Sequence, residues 1–319
     1  MTTGTEPGTG LRRAISRQLR RSDAWVTFRR LQEEGFRAAY HRWRAWAKVL
    51  ALPPVVSDKP TASSKVEVHL VCRQRDYLTA LWALKSFYAS ARVGYPLVVH
   101  LNGPFSRTAA SHLRQHLPSA YLVPQRYANT AATDWLVRNN CPHLLKLRTG
   151  NGFMLKLVDV ALFGTSTNVL LLDSDVLFFR SPVELVDAAE DHERGWMFQR
   201  DVASTYNMSS VEAERVAGVC LAPQINTGIA VLPRARIDLR RCEQYVAEAA
   251  IDGSLGWIEQ TLYALLASVD GQISYLPPTY LVSLAPRSNI DALIARHYAG
   301  PSRPFFTEEG IPYLLNLKR

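Results

Sequence analysis

Apolar and polar positions alternate along most of this chain in two periods, and the two periods alternate with each other. Val66 to Cys72 alternates and then closes as a strand, and Tyr77 to Ser90 places Tyr77, Leu81, Leu84 and Tyr88 at helical spacing. Leu97 to Leu101 reads as a second strand, closed by Asn102-Gly103-Pro104, with a helix over 108–117 and a third strand over 120–123. Residues 124–150 are polar and carry no clear period. Phe153 to Phe163 is predicted as a helix ended by Gly164, holding Lys156 among Met154, Leu157, Val158 and Ala161. Ser181-Pro182-Val183-Glu184 has the pattern of a capping box with proline at the first helical position. Trp196 to Phe198 is a short strand, 201–218 a polar and mobile excursion, and Ile225 to Leu232 a small turn running into a strand. A helix follows over 257–267, with Glu259 and Gln260 in its first turn. Strands and helices alternating in this way predict an α/β domain with a mostly parallel sheet, whose ligands bind beyond the carboxyl ends of the strands. Arg73, Gln74, Arg75, Asp76 and Tyr77, at the end of the first strand, are therefore placed at a crevice.

One stretch organises the rest. Val169-Leu170-Leu171-Leu172 runs into Asp173-Ser174-Asp175, and Val176-Leu177-Phe178-Phe179 runs out of it. An apolar run of this kind predicts a strand covered on both faces. Two carboxylates there are costly unless something positive meets them. On an extended chain Asp173 and Asp175 leave the same face and converge on one cation, with Ser174 pointing away. A surface turn is the ordinary alternative.

At 319 residues the chain has room for one large domain and an extension. The expected boundary falls at 64/65: a leader over 1–64, of which 11–52 forms one or two basic helices and 53–64 a Pro/Ser linker, then the α/β domain over 65–319. Charge supports the division. Residues 1–65 hold 13 Lys/Arg and 5 Asp/Glu, leaving 24 against 23 in the remainder, so nearly all of the net +9 belongs to the leader. A nearly neutral body does not support nucleic-acid binding. In the leader Phe36, Tyr40, Trp43, Ala47 and Leu50 recur at helical spacing among arginines. Such a helix suits an anionic membrane surface, a protein partner, or the chain's own α/β domain.

Cys72, Cys141, Cys220 and Cys242 lack metal-cluster spacing and point to a reduced, cytoplasmic chain; Cys72 and Cys220 lie in apolar runs and read as small core residues. The inner face of the membrane is the place the basic leader suggests. No segment approaches the ~20 apolar residues of a membrane span.

In order, these motifs resemble the metal-dependent glycosyltransferases of the GT-A fold, and within them the retaining family of glycogenin and the bacterial lipooligosaccharide galactosyltransferases, over roughly 66–305. Asp173-Ser174-Asp175 matches the family's Asp-x-Asp, and Asn226-Thr227-Gly228 its Asn-x-Gly. Glu259-Gln260 falls where the family has an acidic residue and Gln. His297-x-x-Gly300-x-x-Arg303-Pro304-Phe305 matches its His-x-x-Gly-x-x-Lys-Pro-Trp, with Arg for Lys and Phe for Trp. Lys156, seventeen positions before Asp173, stands where the family has a donor-facing Arg. Only Asp76 and Tyr77 can stand for its acidic pair after the first strand.

The resemblance implies a UDP-sugar donor, a glycan, lipid-linked or polysaccharide acceptor, retention of configuration, and Mn2+ (or Mg2+) on Asp173, Asp175 and His297. It implies diphosphate contacts from Gly300 and Arg303, donor contacts from Asp76, Ser174, Thr227 and Gly228, a donor-facing role for Lys156, and sugar contacts from Asn226. Gln260 or Glu259 would lie beneath the anomeric carbon, and Tyr77 either stacks on the base or packs its helix. Each of these residues also has an ordinary structural role open to it: a turn for Asn226 or Gly300, a surface lysine for Lys156. Two other functions stay open: an Asp-x-Asp nucleotidyl or phosphoryl transferase, which would want a glycine-rich loop after the first strand, and an inactive scaffold with a partner-binding leader.

Overall fold

The structure, a computed structural model, describes residues 39–59, 64–249, 251, 256–286 and 289–317. The chain divides into two units, Met1–Lys48 and Val49–Arg319. A helix over 39–51 (α1) carries the described part of the expected basic helices; the helical expectation for 11–38 lies outside the described residues. Tyr40 and Trp43, from the predicted aromatic stripe, are 54% and 63% exposed and stack on each other, with Arg44 over the Tyr40 ring and Arg42 over Trp46.

The second unit holds an α/β body. Its main sheet contains β1 (Val66–Arg73), β2 (Leu97–Asn102), β3 (Tyr121–Val123), β4 (Asn168–Leu172), β6 (Trp196–Arg200), β7 (Ile225–Pro233) and β8 (Ile273–Tyr275), in the order β3-β2-β1-β4-β7-β6-β8. β7 runs against its two neighbours, and every other pairing is parallel. A smaller sheet is formed by β5 (Val176–Phe178), β10 (Ala295–His297) and β9 (Tyr280–Val282), ordered β5-β10-β9. The described helices of the body are α2 (Tyr77–Ala91), α3 (Arg107–His116), α4 (Gln125–Arg138), α5 (Pro142–Gly150), α6 (Leu155–Phe163), α7 (Val183–Glu190), α8 (Ser210–Ala217), α9 (Leu239–Ala249), α10 (Ile258–Asp270), a single turn at Arg303–Phe305 (α11) and α12 (Ile311–Leu317). All five residues of β4 are buried, as its unbroken apolar run requires. Val169 and Leu171 join one core cluster with Leu157, Phe198, Leu232 and Leu262, so the sheet and α6 and α10 share a core.

Several local expectations are corrected. The run 169–179 is not one strand: β4 stops at Leu172, Ser174 and Asp175 form a turn, and β5 pairs in the other sheet. Ser181–Glu184 forms no capping box, because α7 begins after Pro182, one position too late for Ser181 to cap it; the Glu184 carboxylate instead accepts from the Tyr280 hydroxyl at 3.2 Å. A capping box does form at Ser209 and Glu212, opening α8 inside the stretch expected to be a mobile excursion. That stretch is also tied down by Tyr206 donating to the Ala222 carbonyl and by the Asn207 N–H on the Thr261 hydroxyl. Residues 124–150 hold α4 and α5; α4 buries Ala128, Ala132 and Leu136, a stripe of mostly small residues with little hydrophobic signal. Cys220 is exposed in a loop rather than buried, whereas Cys72, Cys141 and Cys242 are buried.

The stretch 53–58, expected as linker, lies along the body. Val55 and Asp58 donate backbone N–H bonds to His116 and Gly94 carbonyls, and the buried Lys85 ammonium donates to the Leu52 and Pro53 carbonyls. Among the described residues no helix is long and apolar enough to cross a membrane.

Candidate metal and sugar-nucleotide site

The two sheets meet in sequence at Asp173-Ser174-Asp175, and this junction builds the site. The β4–β7 ladder continues one step past Leu172, with the Asp173 N–H on the Gly228 carbonyl at 2.8 Å. That bond sets Asn226-Thr227-Gly228 beside the carboxylates. In the small sheet His297 pairs with Val176, and the Tyr298 N–H donates to the Asp175 carbonyl at 2.9 Å. Antiparallel register thus carries a histidine from near the C-terminus to the turn. The carboxylates converge because the chain turns there, not because it is extended.

One ligand atom each from Asp173, Asp175 and His297 lies within 4.8 Å of the others. Ligands at about 2.1–2.3 Å from one ion sit roughly 3–4.5 Å apart, so the set fits a single divalent cation. The site is balanced by side-chain cations. Lys156 Nζ lies 2.6 Å from Asp173 Oδ1 and 3.6 Å from Glu259 Oε1, and Arg303 Nε lies 2.8 Å from Asp175 Oδ2. Burial by itself would lower the Lys156 pKa, but Asp173 and Glu259 outweigh it and the pKa is raised. Lys156 is therefore a buried ion-pair partner, not a surface lysine. Burial also works against the Asp175 carboxylate, yet His297 and Arg303 hold its pKa well below the usual carboxylate range. The His297 imidazole is raised above its ordinary value, because Asp175 and Asp173 overcome the opposing effect of burial.

A crevice of about 650 Å³ opens over these groups. It is lined by Asp76, Lys156, Asp173, Ser174, Asp175, Asn226, Thr227, Gly228, Glu259, Gln260, His297, Gly300 and Arg303, thirteen of the fourteen residues given site roles by the resemblance, and by Arg73 and Arg75; Gln74, also expected at the crevice, does not line it and takes the Ser106 N–H on its side-chain oxygen at 2.6 Å. Tyr77 is the fourteenth: its hydroxyl lies 3.2 Å from His112 Nδ1 and it does not line the crevice. At the start of α10 the Glu259 carboxylate takes the Thr227 hydroxyl on Oε1 at 3.2 Å, and its buried Oε2 has no hydrogen-bond partner among the described residues. Burial raises its pKa above the ordinary value, against the pull of Lys156. The Gln260 amide donates to the Thr205 carbonyl at 3.2 Å. Gly300 adopts φ +53°, a left-handed conformation that few other residues take readily, in the turn between His297 and Arg303.

Sequence reasoning missed Asp201, which receives the Asn226 amide at 2.8 Å, and also Asn102, Phe153, Trp257 and Leu284 on the crevice wall. Asp201 follows the last residue of β6, so the strand-end rule that selected residues 73–77 would have found it.

No family model matches the chain, and no curated protein matches it. Among solved structures it is similar to mouse xyloside xylosyltransferase 1 in its apo form (11% identity, 73% of this chain and 96% of that one, TM-score 0.48). It is similar to the galactosyltransferase LgtC in complex with donor and acceptor sugar analogs (16% identity, 79% and 94%, TM-score 0.47). It is also similar to the mannosyltransferase Ktr4p from S. cerevisiae in complex with GDP (10% identity, 80% and 84%, TM-score 0.48). These neighbours are GT-A glycosyltransferases, the class that the sequence motifs resemble. Likeness at this level carries no substrate, and the site's own atoms have to supply the chemistry.

Proposed function

We propose that the chain is a metal-dependent glycosyltransferase that moves a sugar from a UDP-sugar to a glycan, lipid-linked or polysaccharide acceptor. The observation that carries this reading is the convergence of Asp173, Asp175 and His297 on one cation's volume, in a crevice that also holds Lys156 and Arg303. A site of two acids, one imidazole and two further cations suits a doubly charged leaving group better than a neutral one. In this reading Asp173, Asp175 and His297 hold Mn2+, which when bound would neutralise the departing diphosphate. Arg303, half exposed at the mouth of the crevice, turns from Asp175 to the phosphates, and Gly300 lets backbone approach them. Asp76, Ser174, Thr227 and Gly228 line the donor's path. The buried Glu259 Oε2, having no donor, accepts a sugar hydroxyl, and Gln260 faces the reacting carbon from the same helix turn.

Retention of configuration follows from the resemblance and is part of the proposal. Proton NMR of the first product decides it, since an inverted anomer excludes it. A nucleotidyl transferase is less well supported: the turn after β1 is Gln74–Asp76, a 3-10 turn with no glycine for a phosphate loop. The direct test of the function is a thermal-shift panel of nucleotide-sugars with and without Mn2+. A Mn2+-dependent shift with UDP-sugars is expected, and indifference to all of them would sink the proposal.

We further propose that α1 holds the chain at an anionic membrane face on the cytoplasmic side. Its support is an exposed Tyr40–Trp43 stack with Arg44 and Lys48 on the same helix. Each basic residue near such a surface gains about 1 kcal/mol. Replacing Trp43 by Ser and Arg44 and Lys48 by Glu should abolish sedimentation with anionic vesicles, and unchanged sedimentation would refute it.

A further inference from the structure

We infer that Asn226 and Asp201 act as positioning residues that fix the His297 ring as a metal ligand. This rests on the metal site proposed above, and it gives Asn226 a first task other than reading the sugar.

The hydrogen-bond directions can be assigned from one end. A backbone N–H can only donate, and the Gly228 N–H lies 2.9 Å from an Asn226 side-chain atom, which must therefore be the amide oxygen. The amide NH2 then faces the other way and donates to Asp201 Oδ2 at 2.8 Å. A carboxylate accepts and does not donate, so both ends agree and the amide cannot be reversed. The same amide oxygen lies 3.0 Å from His297 Nδ1. Nδ1 must carry a hydrogen to meet it, which leaves Nε2 as the coordinating nitrogen. Nε2 points the right way, 3.2 Å from Asp175 Oδ1 and 3.6 Å from Asp173 Oδ2.

The ring lies close against Gly228. A Cβ at residue 228 would come within 2.2 Å of His297 Nδ1 and 2.8 Å of the Asn226 oxygen, so the imidazole packs against a bare glycine backbone. The β-bulge between Phe198 and Gln199, at the end of β6, changes the register just before Asp201. Asn226 and His297 are both buried. Two of the amide's acceptor sites and one donor are committed inward, which leaves one amide hydrogen for a substrate.

Outer partners of metal-bound histidines set ring orientation and tautomer, and losing one typically costs 10–100-fold in metal affinity. The test uses the full chain, without nucleotide, and reads Mn2+ affinity by calorimetry and the His297 tautomer by two-dimensional 1H–15N NMR of the metal-free protein, at a pH high enough that the ring carries a single hydrogen. Asn226→Ala should weaken Mn2+ binding about 10–100-fold and abolish the preference for hydrogen on Nδ1. Asn226→Asp alone sets two carboxylates against each other across the 2.8 Å contact and should also weaken Mn2+. Adding Asp201→Asn to it restores one donor and one acceptor and should return the affinity to within about threefold of the parent, far inside the 10–100-fold loss. A general packing defect would not be repaired by that exchange. An Asn226→Ala protein with parental affinity and parental tautomer overturns the inference, as does a double variant no better than Asn226→Asp. A parent that binds no Mn2+ overturns the metal site instead, and the tautomer measurement still judges Asn226 separately.

Discussion

Replacing Lys156 by Met keeps the length of the side chain and removes its charge. The ammonium lies 2.6 Å from Asp173 and 3.6 Å from Glu259, with its side chain only 7% exposed. Without it two carboxylates face each other in a largely dry site. Breaking a buried pair costs about 3–5 kcal/mol. The lower end applies here, because Asp173 is 21% exposed and can be hydrated, and because burial already favours the protonated form of Glu259. At about 2–4 °C per kcal/mol for a body of this size, a loss of about 3 kcal/mol lowers Tm by roughly 6–12 °C. The same account predicts a rescue: a divalent cation on Asp173 supplies the missing charge, so Mn2+ should raise the Tm of the variant more than that of the parent. Scanning calorimetry of both proteins, in chelator and in excess Mn2+, measures all four values. A variant that melts within about 2 °C of the parent in chelator, well short of that range, would refute the pairing. Equal Mn2+ shifts in the two proteins would refute the rescue.

Three further outcomes follow from the same geometry. Arg303→Met removes a cation that competes for Asp175, so nucleotide-free Mn2+ binding should tighten by up to about fivefold, the ~1 kcal/mol of a half-exposed pair. UDP affinity in saturating Mn2+ should fall at the same time, and calorimetry that shows both affinities moving together contradicts the dual role. Gly228→Ala drives a methyl into the His297 ring and should abolish tight Mn2+ binding while β7 stays folded, which Mn2+ titration and far-UV circular dichroism separate. Because the carboxylates raise the His297 pKa, a proton competes with metal for Nε2. Mn2+ affinity should therefore fall about tenfold per pH unit below that raised pKa and level off above it; an affinity flat from below pH 6.5 upward would remove His297 from the ligand set.

What the sequence made legible was the chemistry carried in short runs. Leu170-Leu171-Leu172 is a buried strand because no polar residue interrupts it, and Asp173 and Asp175 follow at its carboxyl end as an open α/β sheet requires. The resemblance carried by His297, Gly300 and Arg303 implied one crevice for the three, and all three line one crevice in the structure. What stayed hidden depended on partners distant in the chain. Nothing local says that the apolar run after Asp175 belongs to a second sheet, since β5 is defined by pairing with β10 more than a hundred residues later. The pattern at Ser181–Glu184 is right for a capping box, but the helix starts one residue beyond it, whereas Ser209–Glu212 forms one inside a polar stretch. α4 went unread because alanines bury a face without giving it an amphipathic signature. Asn226 could be placed near the sugar by motif, but its bonds to Asp201 and His297 join three elements and are visible only in three dimensions.

The central claim is that one cation, held by Asp173, Asp175 and His297, is needed to bind a nucleoside diphosphate in this crevice. Calorimetric titration of UDP into the full chain tests it most directly, once with excess Mn2+ and once with chelator. The account predicts saturable binding with Mn2+ and little or none without it, and loss of the Mn2+-dependent binding in Asp175→Asn. UDP binding of equal strength with and without Mn2+, or no binding in either, would contradict it.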